Sequence, residues 1–221
     1  MKKVHSLLLF LFAIIITGCL SYNQITTIRT DGSGEMFVHY WMNFSDLQDS
    51  LLINKLGIFN TDSIRAEFSS PHTFIKNVES YKDFRDSTIH AKVEFDFTHI
   101  DSLNKTKAFN GAEYSLKTDA NGYQTFSQFI QPFATGFGFN RDSLKIQYTY
   151  YLPGKIMSHN ASSISNNKLI WEYTLKNIGT GKLISATYRP FKLKETPKWI
   201  YYIASLVLVI VVFYLFKKRS T

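Results

Sequence analysis

The side chains with chemistry to offer are few and widely spread. The six histidines are His5, His39, His72, His90, His99 and His159, and the chain has a single cysteine, Cys19. There is no HExxH pattern and no close histidine pair, and one cysteine cannot complete a zinc set. His99 and Asp101 stand two apart near the end of a strand pattern, a spacing that suits a surface turn better than a ligand pair. No GxSxG nucleophile elbow and no phosphate-cradling loop occurs. Gly32-Ser33-Gly34 falls in a hairpin turn rather than at a strand-to-helix junction, and the Asp and Glu residues lack the spacing of a hydrolase pair. The expectation is a chain with no catalytic residues, no metal and no cofactor.

Cys19 takes its meaning from what precedes it. Lys2 and Lys3 lead into the apolar run from Leu7 to Ile16, and Gly18 comes directly before the cysteine. This is the layout of a signal peptide, with a basic start, a short apolar stretch and a small-residue cleavage site. The run is too short for a comfortable membrane span. A cysteine in an apolar leader is a poor nucleophile and, alone, makes no internal disulfide. Ile16-Thr17-Gly18-Cys19 resembles the lipobox of bacterial lipoproteins, in which the cysteine is acylated and becomes the mature N-terminus. The plainer alternative is an ordinary signal peptide with an incidental cysteine. The expected parts are a leader over 1–18 and a domain over 19–195.

At the other end, Trp199 to Phe216 holds no charged residue and is followed by Lys217, Lys218 and Arg219. Its length, at 1.5 Å per residue, comes to about 27 Å, near the thickness of a hydrocarbon core. Aromatic residues stand at both ends, where amphipathic rings favour an interface. The run predicts a transmembrane helix over 196–216, with 217–221 as a cytoplasmic tail by the positive-inside rule and the domain on the outer side of a bacterial inner membrane. The alternative is a buried core helix closing a water-soluble domain.

The formal charge of +8 belongs largely to the two ends, and the domain between them carries about +3. With no basic motif beside it, that balance excludes a nucleic-acid footprint. Lys192, Lys194 and Lys198 form a basic linker that can meet lipid phosphates or simply face water. Alternation and turn signals predict strands over 24–30, 35–42, 74–81, 87–98, 112–118, 123–130, 144–152, 169–175 and 183–188. A capping-box pattern at Ser45-Asp46-Leu47-Gln48 opens a helix to about Leu56, and a second short helix covers 62–68. The fold class read from this is α+β, a largely antiparallel sheet of about eight strands with two early helices.

Two stretches stand out. The strand over 35–42 is apolar on both faces, with Phe37 and Trp41 flanking His39 on one side, the pattern of a strand held between layers. The segment 126–139 sets Phe133, Phe137 and Phe139 among Gly136, Gly138 and Pro132. It reads either as an aromatic loop that dips toward a bilayer or lids an apolar cavity, or as phenylalanines filling core corners. Phe37, Trp41, Phe133, Phe137 and Phe139 are therefore the candidate groove. Five serines, Ser50, Ser63, Ser87, Ser102 and Ser143, each follow an aspartate and precede an aliphatic residue or threonine. That triplet is similar to an O-glycosylation sequon of exported proteins in certain Gram-negative bacteria, and turn and cap chemistry accounts for it more simply.

Leu152-Pro153-Gly154-Lys155-Ile156, then Asn160, then Trp171, then Ala186 resembles the domain of LppM-like membrane-anchored lipoproteins, as does the Asp31-Gly32-Ser33-Gly34 turn. The likeness is specific over 144–188 and architectural elsewhere. It implies an α/β domain with an apolar cavity and a lipid or glycolipid ligand, and supplies no binding residues. Independently of it, Pro153-Gly154 ends a strand and turns the chain, and Trp171 needs a partner for its indole N–H. The expected function is lipid binding or sensing at a membrane surface; the alternative is a non-enzymatic adaptor for an envelope protein partner.

Overall fold

The computed structural model describes residues 20–43, 57–132, 145–191 and 198–219. The first body is built on a hairpin, β1 (Leu20–Ile28) and β2 (Gly34–Asn43). Its turn is closed by Asp31, whose carboxylate accepts from the Ser33 N–H at 3.0 Å and the Ser33 hydroxyl at 2.6 Å. Gly32 has φ +82°, and a Cβ there would lie 2.3 Å from His99 Nε2, so only glycine fits. The turn sets the register Leu20↔Met42 to Ile28↔Gly34.

After β2 come the helix α1 (Thr61–Phe68), then β3 (Thr73–Asp83) and β4 (Thr88–Phe97). Asn60 caps α1 by accepting from the N–H groups of Asp62 and Ser63. Two 3₁₀ turns (Ile100–Lys105 and Lys107–Phe109) lead to β5 (Ser115–Thr118) and β6 (Gln124–Ile130). Next are β7 (Lys145–Tyr151), β8 (Gly154–His159), β9 (Ser163–Ser165), β10 (Lys168–Thr174), the single-turn helix α2 (Leu175–Ile178) and β11 (Lys182–Pro190).

The strands form two sheets. The larger has the order β3-β4-β2-β1-β7-β10-β9 and the smaller β5-β6-β11-β8. Every pairing is antiparallel except β1 with β7. One face of each sheet turns inward. On β4 the strict alternation buries Ile89, Ala91, Val93, Phe95 and Phe97, all at 5% exposure or less, as the sequence pattern predicts. Burying each of the four larger side chains, Ile89, Val93, Phe95 and Phe97, contributes about 1.5–3 kcal/mol. The sheets meet where the Phe126 ring of β6 lies 4.4 Å from the Tyr150 ring of β7, and Trp171 of β10 stands edge-on to Tyr150 at 5.9 Å.

The segment Leu152–Trp171 shows how the two sheets are joined. Gly154 starts β8 against the Arg189 backbone, where a Cβ would come within 2.3 Å of the carbonyl oxygen. Asn160 then clasps both layers. Its Oδ1 accepts from Trp171 Nε1–H and from the Ser185 N–H, each at 2.9 Å, and its Nδ2 donates to the Leu183 carbonyl at 2.8 Å. The partner required by the Trp171 indole is Asn160.

The α+β expectation is corrected. The described residues are mostly strand, eleven in two sheets rather than about eight in one, because β8 and β9 form where the sequence shows only turn and polar loop signals. Their residues are exposed apart from Gly154 and Ile156, so no buried stripe announces them, and backbone pairing with β11 and β10 creates them. The expected pair of early helices is not found as a pair: α1 is present, burying Ile64 and Phe68, and Ser45–Leu56 lies outside the described residues.

Residues 192–221 form a separate unit, in which α3 (Lys198–Arg219) is the described element. Among the described residues no helix is long and apolar enough to cross a membrane, and the transmembrane assignment is withdrawn. An uncharged apolar run predicts helix without saying what surrounds it.

Candidate ligand-binding cleft

The interior between the sheets is not uniformly apolar. Gln24 and Thr26 of β1 and Gln128 of β6 are buried at 0%, 0% and 3% exposure, positions that alternation assigns to the core. Buried amides of this kind persist only when hydrogen-bonded, and these are. Gln24 Nε2 donates to the hydroxyl oxygens of Tyr150 (2.9 Å), Thr26 (3.1 Å) and Tyr114 (3.4 Å), and its Oε1 accepts from the Tyr22 hydroxyl at 2.9 Å. Tyr150 passes its own proton to Gln128 Oε1 at 2.6 Å. A relay of two amides and four hydroxyls thus crosses from one sheet to the other. Burial pushes the phenols of Tyr22, Tyr114, Tyr148 and Tyr150 above their usual range, so all are neutral donors at physiological pH.

Beside this relay is a partly open cleft of about 420 Å³, within the 300–1,000 Å³ usual for small-molecule sites. Tyr22, Gln24, Gln128 and Tyr148 make its floor; Ala108, Phe109, Asn110, Ala112, Phe129, Ile130, Gln131 and Pro132 complete the lining. The 3₁₀ turns are what place Phe109 and Ala112 there. His99 Nδ1 accepts from the Asp101 N–H at 3.2 Å, Asp101 Oδ1 holds the Leu116 N–H at 2.7 Å, and Asn104 brackets Tyr114 through its N–H and carbonyl, both at 2.8 Å. His99 and Asp101 are thus cap and strut, as their spacing implies. Among the described lining residues the cleft offers apolar walls and the exposed amides of Asn110 and Gln131, with no charged side chain, nucleophile or general base.

Two of the candidate groove residues lie elsewhere. Phe37 and Trp41 are half-buried on the opposite face of the large sheet and do not line the cleft. They flank His39, whose ring is 6.2 Å from Phe37 and 4.5 Å from Trp41. His39 reaches His90 across the strands at 3.0 Å. Burial, with His90 and Lys92 nearby, lowers His39 to about 4, and burial likewise lowers His90. Phe133, Phe137 and Phe139 fall outside the described residues. The sequence signal that does find the cleft is the polar residue in a core register: Gln24, Thr26 and Gln128 interrupt otherwise apolar inward positions.

Among the candidate serines, Ser63 is exposed in the first turn of α1, and Ser87 is exposed at the β3–β4 turn with φ +56°. Ser102 is half-buried and gives its hydroxyl proton to the His99 carbonyl at 2.5 Å. Ser50, Ser143 and Cys19 lie outside the described residues. Pro153 lies in the bend before β8, Gly154 begins that strand, and Asn160 and Trp171 form the clasp described above. No group of three His, Cys, Asp or Glu side chains able to hold a metal comes together among the described residues.

No family model and no curated protein matches the chain. Among solved structures, the folded domain of LppM from Mycobacterium tuberculosis, determined by NMR, is similar with a TM-score of 0.50 and 15% identity, over 81% of this chain and 95% of that one. At that identity the likeness is one of fold.

Proposed function

We propose that this chain is an extracytoplasmic lipoprotein, acylated at Cys19, whose inter-sheet cleft binds one amphipathic lipid or glycolipid. The observation that carries the reading is the cleft itself: apolar walls with the exposed amides of Asn110 and Gln131 beside them suit a ligand with both a hydroxylated and a hydrocarbon part. The fold likeness to a lipoprotein domain and the Ile16–Cys19 motif support it. Binding of this kind needs no catalytic step, and none is assigned. The acyl group at Cys19, whose transfer contributes about 0.8 kcal/mol per buried methylene, would hold the cleft near its ligand's source.

Native mass spectrometry of the 20–191 body, offered bacterial membrane lipid extract, tests this. A bound lipid is expected in the wild-type protein, and Ala108→Trp, which plugs the exposed wall of the cleft, should lose it while the fold persists. A body that stays ligand-free when offered membrane lipid extract overturns the lipid reading and favours the adaptor, which needs no ligand in the cleft. Acylation is separate: Cys19→Ser should abolish the lipid-dependent mass increment of the full chain.

A further inference from the structure

On the outer face of the large sheet, away from the cleft, one pair of metal-ligating side chains meets although 51 residues separate them in sequence. His39 sits on β2 opposite Lys92, and His90 on β4 opposite Trp41, so the two imidazoles approach diagonally, His39 Nε2 to His90 Nδ1, at 3.0 Å. The protons can be assigned. Thr88 donates its hydroxyl proton to the Asp86 carboxylate, so its oxygen accepts from His90 Nε2–H, at 2.7 Å. His90 Nδ1 therefore carries a lone pair, and the proton between the rings belongs to His39. An imidazole whose far nitrogen is held by a hydroxyl–carboxylate relay and whose near nitrogen is bare is set up as a metal ligand. Packing steadies the rings: Tyr81 stacks on His90 at 4.8 Å and 9°, and Trp41 lies against His39.

We propose that His39 and His90 form a two-nitrogen site for a divalent copper ion, with water in the remaining positions. Metal–imidazole bonds of about 2.0–2.1 Å spanning this gap subtend about 91–97° at the metal. That is the cis angle of tetragonal coordination, favoured by copper(II) and nickel(II), whereas the tetrahedral angle of zinc, about 109°, requires the nitrogens to move further apart. Between copper and nickel, the Irving–Williams order selects copper. Binding asks for two adjustments. His39 shifts its proton from Nε2 to Nδ1 through solvent, with no net proton release, and both rings tilt off the head-on line, which the broad histidine χ2 torsion permits. With two protein ligands the site is open and exchangeable.

The test is copper(II) titration of the chelator-stripped full chain in detergent, read by electron paramagnetic resonance. The expected spectrum is axial, with superhyperfine coupling from two imidazole nitrogens at one copper per chain. His39→Gln and His90→Gln should each lose that signal, while His159→Gln, on an exposed distant residue, keeps it. Thr88→Val should weaken binding about 10–100-fold through loss of the positioning hydrogen bond. A wild-type spectrum without two nitrogen ligands, or variants at His39 and His90 that bind as wild type does, overturns the proposal. If those variants fail to fold, wild-type NMR decides: substoichiometric copper(II) must broaden amides of β2 and β4 first, and broadening centred elsewhere refutes the site.

Discussion

The two faces of the seven-stranded sheet place polar groups among aromatic rings in different ways. Inward, Gln24 and Tyr150 are sealed at 0% exposure, and their donors and acceptors are matched across the sheets. Outward, His39 and His90 are half-buried and, among the described residues, hydrogen-bond to each other and to Thr88. The inner arrangement is a fixed part of the fold, because a buried group left unpaired costs its full desolvation. The outer one can exchange partners with water or an ion at little cost. The comparison teaches that burial, more than residue type, decides whether a hydrogen-bonded cluster is structural or available.

The largest effect should come from the clasp that holds the two layers together. Trp171→Ala removes a fully buried side chain and frees Asn160, and should cost about 3–5 kcal/mol in chemical denaturation of the 20–191 body. Asn160→Ala, tested with Trp171→Phe in a double-mutant cycle, should reveal a coupling of about 0.5–3 kcal/mol. Additive effects would mean that the indole hydrogen bond is not what ties β10 to β11.

Tyr150→Phe deletes the hydroxyl that links Gln24 to Gln128 and should cost about 1–3 kcal/mol, since both amides lose a buried partner. His39→Gln on the outer face should stay within about 0.5 kcal/mol. If the two substitutions cost the same, the distinction between the faces fails. Lys76, which meets Glu35, Glu94 and Asp96 at the surface, should contribute least: Lys76→Ala is expected to leave the denaturation midpoint where it is, because exposed ion pairs are screened by solvent.

Acidity separates the faces as well. His39 titrates near 4 in the fold against about 6.5 in the unfolded chain. The unfolded state therefore binds more protons in that interval, and stability should fall as pH drops from about 6.5 to 4, with no further loss from this group below. The inner phenols are raised, so their contribution is intact below about pH 10 and declines above it as unfolded tyrosines ionise. His39→Gln should flatten the acid limb alone in metal-free buffer.

Much of the framework is legible in the sequence because alternation is a local property. β4 and β7 can be read residue by residue, and the Asp31–Gly34 turn announces its hairpin. β8 and β9 are hidden because their residues are mostly exposed and pair through backbone only. The cleft is hidden for another reason. Gln24 and Gln128 look like ordinary polar residues until 104 positions of separation are folded away, and the two-sided apolar pattern at Phe37 and Trp41 draws attention to the opposite face of the sheet. The Trp171 indole, by contrast, declares its need for a partner in advance, and Asn160 lies within the same motif.

The claim on which the account rests is that the cleft between the sheets is a ligand site. Intermolecular nuclear Overhauser effects between a dihexanoyl phospholipid, kept below its micelle concentration, and the 20–191 body address it most directly. Contacts are expected from acyl protons to the Ala112 and Ile130 methyls and the Tyr148 ring, all lost in Ala108→Trp. Contacts confined to exposed side chains such as Leu183 or Met157, or unchanged by that substitution, would contradict it.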